Sequence, residues 1–579
     1  MSGICGWVGE APRERLEAML HAIDYRGDTS DSHLGEGFAL GYRFWAGRPG
    51  KSPRIRRAGD AATACAGTLA PPVPSPAEAL AARIASADFA DLDGAFAAAD
   101  WDGRGLTLIR DPFGVRSLYF TEREGTFYFA SELKQLVAPG IAPAEIDPVA
   151  IHKYLTFSFF PGETVPIKGV RRLLPGHLLR LAQGRAEVRP YFELREEIDP
   201  ALEERREAAR TIRERFDAAI EKRLNGEREV GLYLSGGIDS SGVAHRLVKR
   251  GVQVRALSLD FGPRSVEKQQ AAAVARHLGI DHTFLAVDGS ELAPLLPDLV
   301  YKLDLPFGDA VVGPQFLLGR AARERGLQAV FNGEGGDQLF GGWTSKPMIA
   351  AEIYAGFLDD RSREEQYLAS YHRFYGLEER LYTPELKAQV GGPGQRRAHL
   401  QPYLGSDRAN TFLNRVRLAD LSLKGSQNIL PRAERMSNAW GLDVRVPLFD
   451  RQLAEASFRL PPAMKLRGAT EKYILKWVLR KALPEDVVWR RKFGMSVPIT
   501  DWVLGPLAGL VEELIGRTAL ERRGLFRDDF VARLRAGENV PDEVRRRRVG
   551  ERLWALIMLE AWMRVFVDGR GAKPAGLTR

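Results

Sequence analysis

The chain is predicted to be α/β, with a parallel sheet in its C-terminal half, and three observations predict it. First, residues 229–234 (EVGLYL) form an apolar run. It leads through Ser235-Gly236-Gly237-Ile238-Asp239-Ser240-Ser241 into Val243, Ala244, Leu247 and Val248 at helical spacing, closed by Gly251. That pattern reads as strand, glycine loop, helix. Second, strand-like and helical signals alternate downstream, at 253–260, 265–278, 282–287, 291–303, 314–325 and 328–332, which predicts a parallel sheet with helices on both faces. Third, ligands of such sheets sit at the carboxyl ends of the strands, where Leu234, Leu259 and Asn332 fall.

At 579 residues, a prior of roughly 150 residues per domain gives two to four domains. The formal net charge of +8 suits either a nucleic-acid binder or an enzyme handling ATP and pyrophosphate. The motifs below favour the second, so neither a nucleic-acid nor a membrane partner is expected. Cys5 and Cys65 are the only cysteines, which excludes a disulfide framework and suits a reducing cytosol. No signal peptide is expected at the N-terminus, and the location expected is cytoplasmic. The most apolar helix candidate, 553–567, is interrupted by Glu560 and Arg564 and is too short to span a bilayer, so it reads as a buried helix.

The glycine loop carries the first chemical signal. Gly236 and Gly237 let the backbone approach a ligand closely. Ser235, Ser240, Ser241 and the free amides of the first helical turn offer donors to phosphate oxygens. Asp239 suits a magnesium ion brought by that ligand. No Lys follows the glycines, so this is not the phosphate loop of kinases and ATPases. It resembles the pyrophosphate loop of enzymes that split ATP between its α and β phosphates and adenylate their substrate.

In the N-terminal half, Asp111-Pro112-Phe113-Gly114-Val115-Arg116-Ser117-Leu118-Tyr119 is turn-rich, and Phe127-Tyr128-Phe129-Ala130-Ser131-Glu132-Leu133-Lys134 alternates into a strand and then a helix. These segments resemble the glutaminase half of glutamine-dependent asparagine synthetases, and the resemblance covers nearly the full chain. It implies an N-terminal-nucleophile αββα sandwich followed by a pyrophosphate-loop (adenine nucleotide α-hydrolase-like) parallel-sheet synthetase domain with extra helices. The expected domains are 1–200 and 201–579. Glutaminase chemistry needs a thiol at the second position, with its own amine as base. Here that position is Ser2, and Cys5 lies three residues further on. Where the family has an Asn-Gly-Glu segment for glutamine, the chain reads Ala66-Gly67-Thr68. Arg43 and Arg26-Gly27-Asp28 do match the family. The expectation is an inactive glutaminase-like domain.

The second strong signal is Asn332-Gly333-Glu334-Gly335-Gly336-Asp337-Gln338-Leu339-Phe340-Gly341-Gly342, many glycines around two carboxylates at a strand end. The resemblance implies that Asp239 and Asp337 hold magnesium, and that Glu334 stands beside the acyl-adenylate. It also implies that Leu234 and Leu259 sandwich adenine, with Ser235, Gly236, Gly237, Ser240, Asn332 and Gly333 completing the ATP site. The third signal is Gly468-Ala469-Thr470-Glu471-Lys472-Tyr473 and the later WRRKFG segment, where Lys472 and Lys492 match lysines that contact pyrophosphate and the reacting centre. A lysine is a point charge suited to departing phosphates and to oxygen gaining negative charge. Three acids stay open. Glu267 matches a family acid or caps its helix. Asp309 orients a ligand or caps the helix after it. Glu434, near Arg432, Arg435 and Trp440 in a segment resembling the acceptor wall, binds or deprotonates an amine or forms a salt bridge.

Without ammonia made in the chain, the amine is expected to belong to the substrate. Family members with a dead N-terminal domain include β-lactam synthetases, carbapenam synthetases and lasso peptide cyclases. The β-lactam enzymes have Tyr where Glu334 stands and Ala at Gly336. This chain keeps Gly-Glu-Gly-Gly-Asp and has an extended region at 344–425. The function expected is therefore the macrolactam cyclase of a lasso peptide pathway, using ATP and Mg2+ on a precursor peptide, with a leader peptidase and a leader-binding protein as possible partners. Ammonia-dependent asparagine synthesis and small-molecule β-lactam closure are the alternatives.

Overall fold

A computed structural model describes residues 2–47, 54–342, 348, 362–371, 373–390, 398–490, 497–538 and 547–575. The N-terminal half is a sandwich of two antiparallel sheets. One sheet runs, in spatial order, Arg171–Arg172, Tyr119–Arg123, Thr126–Ala130, Ser2–Val8, Phe38–Phe44 and Thr29–Gly35. The other runs Arg185–Pro190, His177–Ala182, Gly105–Arg110, Gly94–Trp101, Ala61–Leu69 and Ile55–Ala58. Strand alternation builds the layers. Ile4, Ala64, Ala66, Ala97 and Ala99 face inward into the core between the sheets. Cys5 and Trp7 face outward under the helix Arg13–His21. Cys65, Phe96 and Ala98 face outward under the helix Pro76–Ser86. The expected αββα arrangement is present.

The C-terminal half is built on five parallel strands in the order Asp281–Ala286, Gln253–Asp260, Glu229–Tyr233, Ala329–Phe331, Asp443–Arg445. The chain lays down the first three in one direction and then returns past its starting strand. Right-handed crossovers therefore put the helices Ile238–Lys249 and Lys268–Leu278 on one face, and Leu292–Leu303 and Val312–Glu324 on the other. The order reverses between Glu229–Tyr233 and Ala329–Phe331, and the two glycine-rich loops leave these adjacent strands at that switch point. The predicted helix at 553–567 spans the latter part of a longer helix, Arg547–Met563, whose Trp554 and Trp562 are fully buried, and the π-helical stretch Arg564–Asp568 that continues it. No helix among the described residues is long and apolar enough to cross a membrane.

A π-helical stretch, Asp420–Ile429, runs directly into the helix Leu430–Asn438. Its wider turn was not visible in the hydrophobic pattern, and π-helical turns are frequent at functional sites. The helix it feeds meets the N-terminal domain. Glu434 pairs with Arg26 at 2.8 Å and with Arg116 at 2.5 Å. Arg435 pairs with Glu132 at 2.8 Å and with Asp304 at 3.3 Å. Lys134 joins Glu132 and also lies 3.1 Å from Asp304. All of these side chains are buried. Glu434 is thus held by arginines of the other domain, which resolves its role in favour of ion pairing. Arg548, at the start of the helix Arg547–Met563, pairs with Glu551 at 2.5 Å.

Burial raises the Glu434 carboxyl, but the Arg26 and Arg116 guanidiniums outweigh burial and hold it at about 2. Glu132 is likewise buried and is held below the usual range by Arg26, Arg435 and Lys134. Both folded values lie below the unfolded ones, so the stability they contribute is present above about pH 4.5 and is lost as pH falls toward about 2. Thermal unfolding followed from pH 7 to pH 2 is expected to show that loss. Glu434→Gln, which leaves two buried arginines short of a counter-charge, is expected to cost about 3–5 kcal/mol at pH 7 and to flatten the acid limb. An unchanged acid limb in the variant would remove Glu434 from the account.

Candidate active site

One cavity occupies the switch point, and both glycine loops line it. Leu234 follows the strand Glu229–Tyr233, its amide donating to the Leu257 carbonyl at 2.9 Å. The loop after it is folded on its own hydroxyls: the Ser235 amide donates to Ser240 Oγ at 3.2 Å, and the Gly237 amide donates to Ser235 Oγ at 3.2 Å. The helix Ile238–Lys249 then starts with no side-chain cap, so its first-turn amides face the cavity end as donors for an anion. Gly236 has φ +71°, and a Cβ there would come 2.4 Å from the Ala271 amide nitrogen. Its role is close packing beneath the helix Lys268–Leu278, while Ser235, Gly237, Asp239 and Ser240 line the cavity.

The second loop approaches the first backbone to backbone. A Cβ at Gly333 would lie 2.4 Å from the Ser240 nitrogen, and one at Gly336 would lie 2.0 Å from Asp239 Oδ1. These glycines bring Asp337 opposite Asp239. The Lys472 ammonium sits between them, paired with Asp239 and 2.5 Å from Asp337 Oδ1. Lys472 is 1% exposed and holds a left-handed conformation, φ +53°, at the start of the helix Tyr473–Leu479. A buried cation between two acids at a phosphate loop marks a site for positive charge. Two carboxylates with room for phosphate oxygens are an oxygen-only donor set of the kind magnesium takes, so the residues present fit that ion. Among the described residues no cluster of three or more metal-type side chains exists, so the remaining ligands would come from nucleotide and water.

Leu234, Leu259, Asn332 and Gly333 all line the same cavity. Asn332 Oδ1 accepts from the Glu334 amide at 3.2 Å, which shapes the turn. Glu334 lies 3.7 Å from Arg432, and Arg432 also grips Asp309 at 2.5 Å. Burial raises Asp309, but Arg432 outweighs it and keeps the carboxyl below its usual range. Toward the following helix its carboxylate accepts a long bond from the Val311 amide at 3.4 Å, so ion pairing with Arg432 dominates over side-chain capping. Glu267 makes no side-chain cap bond and lines the cavity. Lys492 lies outside the described residues.

Sequence reasoning missed part of the lining: Gln315 and Leu318, Met436 and Ser437, and Lys424 of the π-helical stretch. The i, i+3 spacing of Gln315 and Leu318 shows that they share a face, but not which face meets the ligand. Lys424 carries no local signal at all.

Gly333→Ala is expected to force the two loops apart and weaken ATP binding at least tenfold, measured by calorimetric titration, since no real Cβ tolerates a 2.4 Å contact with backbone. Asp239→Asn and Asp337→Asn are each expected to lower turnover by about 10²–10³ while the protein stays folded. Wild-type nucleotide affinity in Gly333→Ala would show that the cavity is not the nucleotide site.

Comparison with known proteins agrees with this geometry. Residues 211–564 match the model for Asparagine synthase, and residues 79–192 match that for a Glutamine amidotransferase domain. Asparagine synthetase [glutamine-hydrolyzing] 1 of Bacillus subtilis (strain 168) is 24% identical over 83% of this chain and 78% of its own length. A putative asparagine synthetase [glutamine-hydrolyzing] of Mycobacterium bovis is 27% identical over 82% and 77%. Amidase chry2 of Gibberella zeae is 25% identical over 75% and 74%. The first match spans most of the chain and contains both glycine loops, the two carboxylates and Lys472. The chain belongs to the asparagine synthase family and is an ATP-dependent, AMP-forming carbon–nitrogen ligase.

Proposed function

We propose that this ligase closes a ring: it adenylates a carboxylate of a peptide and joins it to an amine of the same molecule, as the macrolactam cyclase of a lasso peptide pathway. The observation that carries this reading is the missing glutaminase sulfur. Ser2 stands where the thiol belongs, and Cys5, the sulfur next along the chain, is fully buried beneath the outer helix. Burial pushes the Cys5 thiol far above its usual range, so no thiolate forms there at neutral pH. The N-terminal domain is therefore read as an inactive glutaminase, and the amine as arriving with the substrate.

The chain's own groups divide the work. The first-turn amides after Gly237 and the hydroxyls of Ser235 and Ser240 hold phosphate oxygens. Asp239 and Asp337 would hold the magnesium ion, which when bound draws charge from the phosphates and makes pyrophosphate a better leaving group. A carboxylate oxygen of the substrate attacks the α phosphorus and pyrophosphate departs. The Lys472 ammonium supplies a point charge for it, with Lys492 assigned the same kind of role at the reacting carbonyl. The amine then attacks the acyl carbon, AMP leaves and the amine nitrogen gives up a proton. Glu334, a third exposed at the cavity wall, stands ready to receive the ammonium or that proton. The partners on this reading are a precursor peptide, a leader peptidase and a leader-binding protein.

The names of the relatives, glutamine-hydrolyzing asparagine synthetases, support a second reading, asparagine formation from aspartate, in which Ser2 in place of the thiol leaves free ammonia as the nitrogen source. The two separate in one assay. With ATP and Mg2+, a linear core peptide carrying a free N-terminal amine and an internal Asp or Glu is expected to lose one water by mass spectrometry and to release AMP. Asparagine formed from aspartate and ammonium, with every linear peptide left unchanged, would sink the cyclase reading.

A further inference from the structure

The helix Leu430–Asn438 has two working faces. Ala433, Met436 and Ser437, spaced i, i+3 and i+4, line the ligand cavity, and Arg432 at its start grips Asp309 beside Glu334. Glu434, Arg435 and Asn438 point the other way, into the N-terminal domain. There, Arg26 meets Glu434 with two nitrogens, at 2.8 and 3.2 Å, and Arg116 adds a third contact at 2.5 Å. Asn438 Nδ2 donates to the same carboxylate at 2.8 Å. Arg435 is bound to Glu132 and donates to the Ser131 carbonyl at 3.3 Å.

The two N-terminal motifs that identified the family both end at this contact. In the first, Asp111 accepts amides from Phe113, Gly114, Val115 and Arg116, fixing a rigid turn that presents the Arg116 side chain. In the second, Ser131, Glu132 and Lys134 meet Arg435 and Asp304. We propose that the N-terminal domain is a positioning device for the ligase reaction: through Glu434 and Arg435 it sets the rotation and depth of the helix that walls the acceptor side of the cavity. Arg26 and Arg116 are its positioning residues. A bidentate guanidinium resists both twist and translation of its partner, whereas a single point charge resists neither, and small displacements at a reacting centre cost rate steeply. This inference rests on the ligase activity of the site and not on the identity of the acceptor.

The test uses full-length Arg26→Gln, Arg26→Lys and Arg116→Gln. Backbone hydrogen exchange in residues 430–438 is expected to speed up at least tenfold in Arg26→Gln, while exchange in Ile238–Lys249 and Mg·ATP affinity stay within about twofold. Acceptor KM is expected to rise about tenfold with kcat falling less than threefold, and Arg26→Lys is expected to recover part of that rise. Two probes are offered: a linear peptide with a free amine and an acidic side chain, and aspartate with ammonium. If only aspartate is consumed, the cyclase reading fails and the variants still report on positioning. If neither probe is turned over, the exchange measurement decides. Should Arg26→Gln not fold, Arg26→Lys carries the comparison. Unchanged exchange at 430–438, or nucleotide affinity falling in step with acceptor KM, overturns the proposal.

Discussion

Charge buried between the two halves of the chain must be neutralised locally, and that constraint holds the molecule together. Arg26, Arg116, Lys134 and Arg435 are set against Glu132, Asp304 and Glu434, with Asp443 3.8 Å from Arg116 at the margin. Each charge alone would be very costly in a dry interior, and each is tolerable only because its partners come from other elements and both domains. The arrangement exists as a whole or not at all. It fixes one helix, and that helix forms one wall of the cavity.

The cavity repeats the principle at smaller scale. Asp239 and Asp337 are brought together by glycines that admit no side chain, and the Lys472 ammonium offsets their repulsion. A Lys in left-handed conformation is strained, and its buried ion pairs account for why the chain keeps it there. The pair of carboxylates that accepts an ammonium also suits a metal ion brought with phosphate.

Most of the architecture was legible before the structure. The alternation of strand-like and helical segments, the strand–loop–helix at 229–251 and the Gly-Glu-Gly-Gly-Asp loop predicted where the cavity lies, because patterns of this kind reflect local backbone geometry. The acids near it were harder. Glu434 sits one residue after Ala433 and two before Met436, off the face they share, and its partners are about 400 and 320 residues away in the chain, at Arg26 and Arg116. No local pattern encodes such a pairing. Asp309 and Glu267 were open for the same reason, since capping and ligand contact call for the same residue type at the same place.

By itself the sequence determined the α/β class, the strand–glycine loop–helix and the second glycine loop with its two carboxylates, all of them properties of residue type and short spacing. Only the tertiary structure decided that Cys5 is sealed in a hydrophobic layer, that Lys472 bridges the two carboxylates, that Gly236 serves packing where Gly333 and Gly336 serve the site, and that Glu434 belongs to the domain contact. Those outcomes depend on which distant groups share a low-dielectric interior, and burial with pairing is a property of the folded chain, not of any segment of it.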